Sequence, residues 1–82
     1  MFTLYELKDD SIATIKQIVT TNQLKLRLAE LGIMPGMEVR MIKKSPFEGP
    51  VQIKINNYYL TLRKEDATLI HLTNISNNEA SS

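Results

Sequence analysis

The sequence predicts a mainly β domain: a small, strongly bent antiparallel barrel with one short helix inserted after the second strand. Three observations lead there. Residues 51–62 alternate apolar and polar side chains on both sides of Asn56-Asn57. β-Branched residues crowd Ile12 to Val19, which favours a strand. The segment Leu28-Ala29-Glu30-Leu31-Gly32-Ile33-Met34-Pro35-Gly36 carries a helix face, a glycine stop and a Pro-Gly turn in succession, a joint between helical and β structure. In a chain of 82 residues, closing about five short strands into a barrel is the usual way to dispose of exposed strand edges.

Each element follows from local pattern. Residues 2–7, with Phe2, Leu4 and Leu7 among Thr3, Tyr5 and Glu6, fit a short edge strand, and Lys8-Asp9-Asp10-Ser11 fits a polar turn. Between Ile15 and Ile18 the apolar spacing changes phase, which places a bulge in the second strand. Thr20-Thr21-Asn22 supplies N-cap candidates for a helix over roughly 22–31. At about 100° per residue, Leu24, Leu28 and Leu31 share a narrow arc and Leu26 faces almost opposite. Gly32 stops the helix, and Pro35-Gly36 turns the chain into a strand over Met37 to Lys44, with Met37, Val39 and Met41 on its core side.

Ser45-Pro46-Phe47-Glu48-Gly49-Pro50 reads as a loop, because its two prolines and one glycine exclude a regular element. The two-residue Asn56-Asn57 loop suits a type I′ turn, since Asn tolerates positive φ. It pairs 55 with 58, 53 with 60 and 51 with 62, placing every aliphatic residue of the hairpin and Tyr58 on one face. A slip of one residue would undo that segregation. Arg63-Lys64-Glu65-Asp66 fits a charged 3₁₀ turn and Leu69 to Leu72 a last strand. The expected domain is residues 1–73, followed by a flexible polar tail over 74–82.

Composition narrows the chemistry. Ten basic and nine acidic residues leave a formal charge of +1, without the basic excess of a dedicated nucleic-acid binder. There is no cysteine, so disulfides, thiolate metal sites and thiol nucleophiles are excluded. The first ten residues show neither a basic n-region nor an apolar h-region, and no run of about 18 apolar residues occurs. The expectation is a soluble, cytoplasmic protein.

No phosphate-cradling Gly-rich motif is present, and no catalytic constellation is visible. His71 is the only histidine. Flanked by Ile70 and Leu72, it fits a solvent-facing strand residue and is only a weak metal candidate. Asp9-Asp10 and Glu65-Asp66 are adjacent carboxylates that diverge in turns. The expectation is therefore no enzyme, no cofactor and no nucleic acid.

What remains is surface. Lys43, Lys44, Arg63 and Lys64 lie near strand ends; they are either solvated ends or a docking rim for an acidic partner. Leu26 points away from the core face and Phe47 tips a Pro-flanked loop. Single exposed apolar groups need no explanation. Beside Ile33 and Met34, however, they would form a patch suited to a protein partner.

Taken together, Leu28-x-x-Leu31-Gly32-x-x-Pro35-Gly36-x-x-Val39, Pro46 and Pro50 around a short loop, Ile53, and Tyr58-x-Leu60-x-Leu62-Arg63-Lys64-x-x-Ala67-x-Leu69-Ile70 resemble FeoA, the small cytosolic component of bacterial ferrous iron transport systems. The resemblance covers about residues 3–72, and the pattern is also similar to the C-terminal domain of metal-dependent repressors. It implies an SH3-like barrel without enzymatic activity that docks on the cytosolic part of the membrane transporter FeoB. The alternative is a stand-alone metal-binding or metal-sensing domain. One departure is the loop, which in the family usually reads Pro-x-Gly-Asp-Pro and here reads Pro46-Phe47-Glu48-Gly49-Pro50. The expected partner-binding residues are Leu26, Leu28, Ile33, Met34, Lys43, Lys44 and Phe47, with Ile33 and Met34 brought to the surface beside Leu26.

Overall fold

The computed structural model describes residues 2–76. Five strands, β1 (Ile12–Ile18), β2 (Glu38–Lys44), β3 (Val51–Ile55), β4 (Tyr58–Leu62) and β5 (Ile70–Ser76), are accompanied by α1 (Asn22–Glu30) and a single turn, α2 (Lys64–Ala67). They form one antiparallel sheet in the order β4-β3-β2-β1-β5. Ile15, Val39, Met41, Ile53 and Ile70 fill the interior and are at most 2% exposed. Among the described residues no helix is long and apolar enough to cross a membrane.

The hairpin has the expected register, with Ile55 opposite Tyr58, Ile53 opposite Leu60 and Val51 opposite Leu62. Turn length and period agree there, and nothing else in the sheet competes. The turn itself differs from expectation: Asn56 adopts φ 55° but Asn57 does not join it at positive φ, as type I′ would require. Tyr58 is not a core residue either. It is 38% exposed, because β4 is an edge strand and its hydroxyl leans over Gly32.

The bulge expected in β1 is present between Ile15 and Gln17, alongside a second irregularity between Ile12 and Thr14. A further one in β2, between Met41 and Lys43, gave no signal in the apolar pattern.

Residues 2–7 are corrected from an edge strand to a 3₁₀ turn, Leu4–Glu6, with one bridge between Thr3 and His71. The cause is local: the Glu6 carboxylate accepts the Thr3 N–H at 2.8 Å, and the Glu6 N–H donates to the Thr3 carbonyl. These bonds close the turn that Thr-x-x-Glu encodes, while Leu4 and Leu7 are fully buried. Arg63–Asp66 contributes to an α turn rather than a 3₁₀ turn. The last strand runs to Ser76, so Asn74, Ile75 and Ser76 belong to the sheet rather than to the expected tail. Residues 77–82 lie outside the described residues.

Candidate docking site

The Leu28–Gly36 joint is built from two stacked motifs. Thr21 caps α1, its hydroxyl accepting the Leu24 N–H. At the other end the Gly32 N–H donates to the Ala29 carbonyl and the Ile33 N–H to the Leu28 carbonyl, each at 2.9 Å. This paired arrangement needs a left-handed residue between, and Gly32 supplies it with φ 91°. Met34-Pro35-Gly36-Met37 then closes a turn through the Met37 N–H and the Met34 carbonyl. Gly36 at φ 94° occupies the position that a type II turn reserves for glycine, with proline before it. The joint is fastened to the sheet because the Gly36 N–H donates to the Ile15 carbonyl at 2.7 Å.

That geometry decides which side chains are exposed. Leu28 and Ile33 are 2% and 1% exposed, so neither is a surface residue. For both this corrects the expectation of a partner contact, and for Ile33 also the expectation that it reaches the surface. The helix-ending motif carries a hydrophobic contact between the residue after the glycine and the last turn of the helix, and here both side chains belong to the core cluster. Leu26 and Met34, 67% and 41% exposed, do face outward. They flank an apolar groove of about 400 Å³, with Ile18 and Ile33 at its floor and Ala29 and Pro35 in its walls. Gln17, Asn22 and Lys25 give this groove a polar rim.

The other expected contact residues lie elsewhere. The joint feeds the start of β2 and the 45–50 loop leaves its end, separated by seven strand residues, roughly 20 Å of extended chain. Lys43, Lys44 and Phe47 take no part in the groove. Phe47 is 98% exposed at the loop tip, where it and Glu48 both adopt positive φ, 59° and 58°. That conformation costs about 1–2 kcal/mol for a non-glycine residue and persists where surroundings impose it. Here the Tyr5 hydroxyl donates to the Gly49 carbonyl at 3.3 Å, and the Lys64 ammonium pairs with Glu48 at 2.5 Å. Lys44 and Lys64 lie 5.5 and 5.7 Å from the Tyr5 ring centre, a cation–π arrangement. Lys43 sits opposite Gln52 on the outer sheet surface. The single surface expected from sequence is therefore two: the α1 groove and a braced loop.

His71 is half-buried, with Nδ1 3.4 Å from the Gln17 amide nitrogen. Among the described residues no three His, Cys, Asp or Glu side chains converge into a metal-sized cluster.

Two carboxylates are held below the usual glutamate range: Glu6 by the backbone N–H of Thr3, and Glu48 by its hydrogen bond with Lys64 and then by that ammonium's charge. Lys64 is correspondingly raised by the hydrogen bond to Glu48. A depressed carboxylate contributes stability above its unfolded pKa, about 4.3, and loses it as pH falls through the lower folded value. Urea midpoints recorded down from pH 5 should accordingly fall less steeply for Glu6→Gln than for the wild type. Parallel curves would remove Glu6 from the account.

With this geometry described, comparison with known proteins adds the following. A FeoA domain model matches residues 2–74. The Fe(2+) transport protein A/Fe(2+) transporter FeoB fusion protein of Porphyromonas gingivalis is 32% identical over 79 residues, which are 96% of this chain and 9% of that relative. The chain thus spans under a tenth of the relative's length. The solution structure of iron(II) transport protein A from Clostridium thermocellum is 32% identical with a TM-score of 0.81, over 87% of this chain and 44% of that one. Stenotrophomonas maltophilia FeoA complexed with zinc, described as a prokaryotic SH3 domain protein, superposes with a TM-score of 0.80 at 26% identity, over 94% and 98% of the two chains.

Proposed function

The chain belongs to the FeoA family, and from that membership we propose that it is a non-enzymatic accessory of ferrous iron uptake that docks on the cytosolic part of a FeoB-like transporter. It acts in the cytoplasm and reaches the membrane only through that partner. The observation that carries this reading is the groove beside the joint. Leu26 and Met34 stay exposed on either side of a concave floor formed by the buried Ile18 and Ile33, whereas other exposed aliphatic residues such as Val19 and Ile75 line no such groove. Exposed apolar side chains around a concave apolar floor have the composition of a binding surface's centre, and the Gln17, Asn22 and Lys25 rim has the polarity of its edge.

The fusion relative supports the choice of partner. In it the two activities named for the polypeptide are covalently joined, and a linker keeps one domain at a high effective concentration beside the other. Phe47 is a candidate second contact on the braced loop, with Lys43 and Lys44 near it in sequence.

Cross-linking in membranes that contain the transporter tests the reading. A photoreactive group introduced at Leu26 should capture the transporter's cytosolic part, while one at Gln52 on the outer sheet face should not. Capture from neither position counts against the proposal.

A further inference from the structure

A second concavity, of about 410 Å³, lies on the opposite flank of the joint and is lined by Ile12, Gly36, Met37, Glu38, Arg40, Lys54 and Asn56. Its size falls within the range of small-molecule sites. Two cationic residues line it. Arg40 on β2 and Lys54 on β3 are directly opposite in the sheet register, an arrangement in which like charges repel. Among the described residues neither has a salt-bridging carboxylate. Lys54 is held in place from its other side, with its ammonium 5.8 Å from the ring centre of Tyr59, its cross-strand neighbour on β4. The pair is thus built into the sheet rather than carried on flexible termini, and both residues are half-buried.

We propose that this pocket binds the phosphoryl group of a small phosphorylated molecule. The donors suit that group. A guanidinium offers a planar fork to two oxygens and an ammonium a compact point charge. Two adjacent cations match the charge of a phosphate monoester, near −2 at neutral pH. An oxyanion between Arg40 and Lys54 converts their repulsion into two attractive contacts, which are charge-assisted and correspondingly strong. Glu38 is the one carboxylate in the lining and repels an anion toward the cationic pair. The pocket shares none of its lining residues with the α1 groove.

Titration of isotope-labelled protein with inorganic phosphate at constant ionic strength, followed by NMR, tests this site. Saturating shifts should be confined to Gly36, Met37, Arg40, Lys54 and Asn56. Arg40→Gln and Lys54→Gln should each weaken the apparent affinity by about tenfold or more, and Glu38→Gln should tighten it. Without phosphate, Arg40→Gln should melt no lower than the wild type, because its loss relieves repulsion; a misfolded variant would show itself there, and Lys54→Gln repeats the test. Shifts that do not saturate, or affinity unchanged in both cation variants, overturn the site. Equal saturation by acetate overturns its assignment to a phosphoryl group.

Discussion

Ile33→Ala should destabilise the domain by about 2–5 kcal/mol, the usual cost of emptying a large aliphatic site in a core. For a domain this small that is at least about 8 °C in melting temperature, and a large part of a total stability that lies at the low end of 5–15 kcal/mol. The side chain is 1% exposed, its backbone N–H closes the end of α1 on the Leu28 carbonyl, and it floors the groove. Little can collapse into its place, because the Gly36 N–H ties the joint to the Ile15 carbonyl. Leu26→Ala, in the wall of the same groove but 67% exposed, should change stability by no more than about 0.5 kcal/mol. Urea unfolding of the two variants separates the roles: equal effects would contradict the division between a structural floor and a docking wall.

Gly32→Ala should cost about 2 kcal/mol, the second-largest effect expected. Two physical terms add. A Cβ at φ 91° meets the strain of the left-handed region. It would also stand 3.0 Å from the Asn56 amide nitrogen and from the Tyr58 hydroxyl, so the hairpin end must yield. Gly36→Ala isolates the first term, since Gly36 has a similar φ of 94° but nothing within 4 Å of an added Cβ. The loss at Gly32 should exceed that at Gly36, and the excess measures how firmly the β3–β4 turn packs against the joint. If Gly32→Ala is as stable as the wild type, the joint is not the rigid connection described.

The elements most legible in sequence were those where two independent signals coincide. In residues 51–62 loop length and alternation each dictate the same register, and the structure has it. At Leu31-Gly32 the end of the apolar arc and the glycine agree, and α1 ends there. Legibility failed where a short-range hydrogen bond overrides a periodicity. Alternation in residues 2–7 pointed to a strand, but the Thr3–Glu6 pair closes a 3₁₀ turn. Ile33 was expected at the surface beside Leu26, but the left-handed residue before it resets the chain direction, and the motif it creates turns the next side chain inward. The same glycine that identified the joint therefore contained the signal for Ile33's burial.

The exposure of Leu26, Met34 and Phe47 was legible in sequence, but not their arrangement, nor the burial of Ile33. Leu26 and Met34 line one groove, whereas Lys44 ends β2 and Phe47 tips the loop that follows it. Their separation depends on how the antiparallel sheet folds back, which no local pattern encodes. The Arg40–Lys54 pair was hidden for the same reason: the β2–β3 register that brings the two together skips a residue at the Met41–Lys43 bulge.

The central claim is that the α1 groove is the surface through which this FeoA-family chain engages a FeoB-like transporter. Calorimetric titration of the purified cytosolic domain of that transporter with wild-type protein and with Leu26→Asp tests it most directly. The account predicts saturable binding by the wild type, and at least tenfold weaker binding by a Leu26→Asp variant that melts within about 3 °C of it, as befits an exposed site. Binding of equal strength by the two proteins, or none by the wild type, would contradict it.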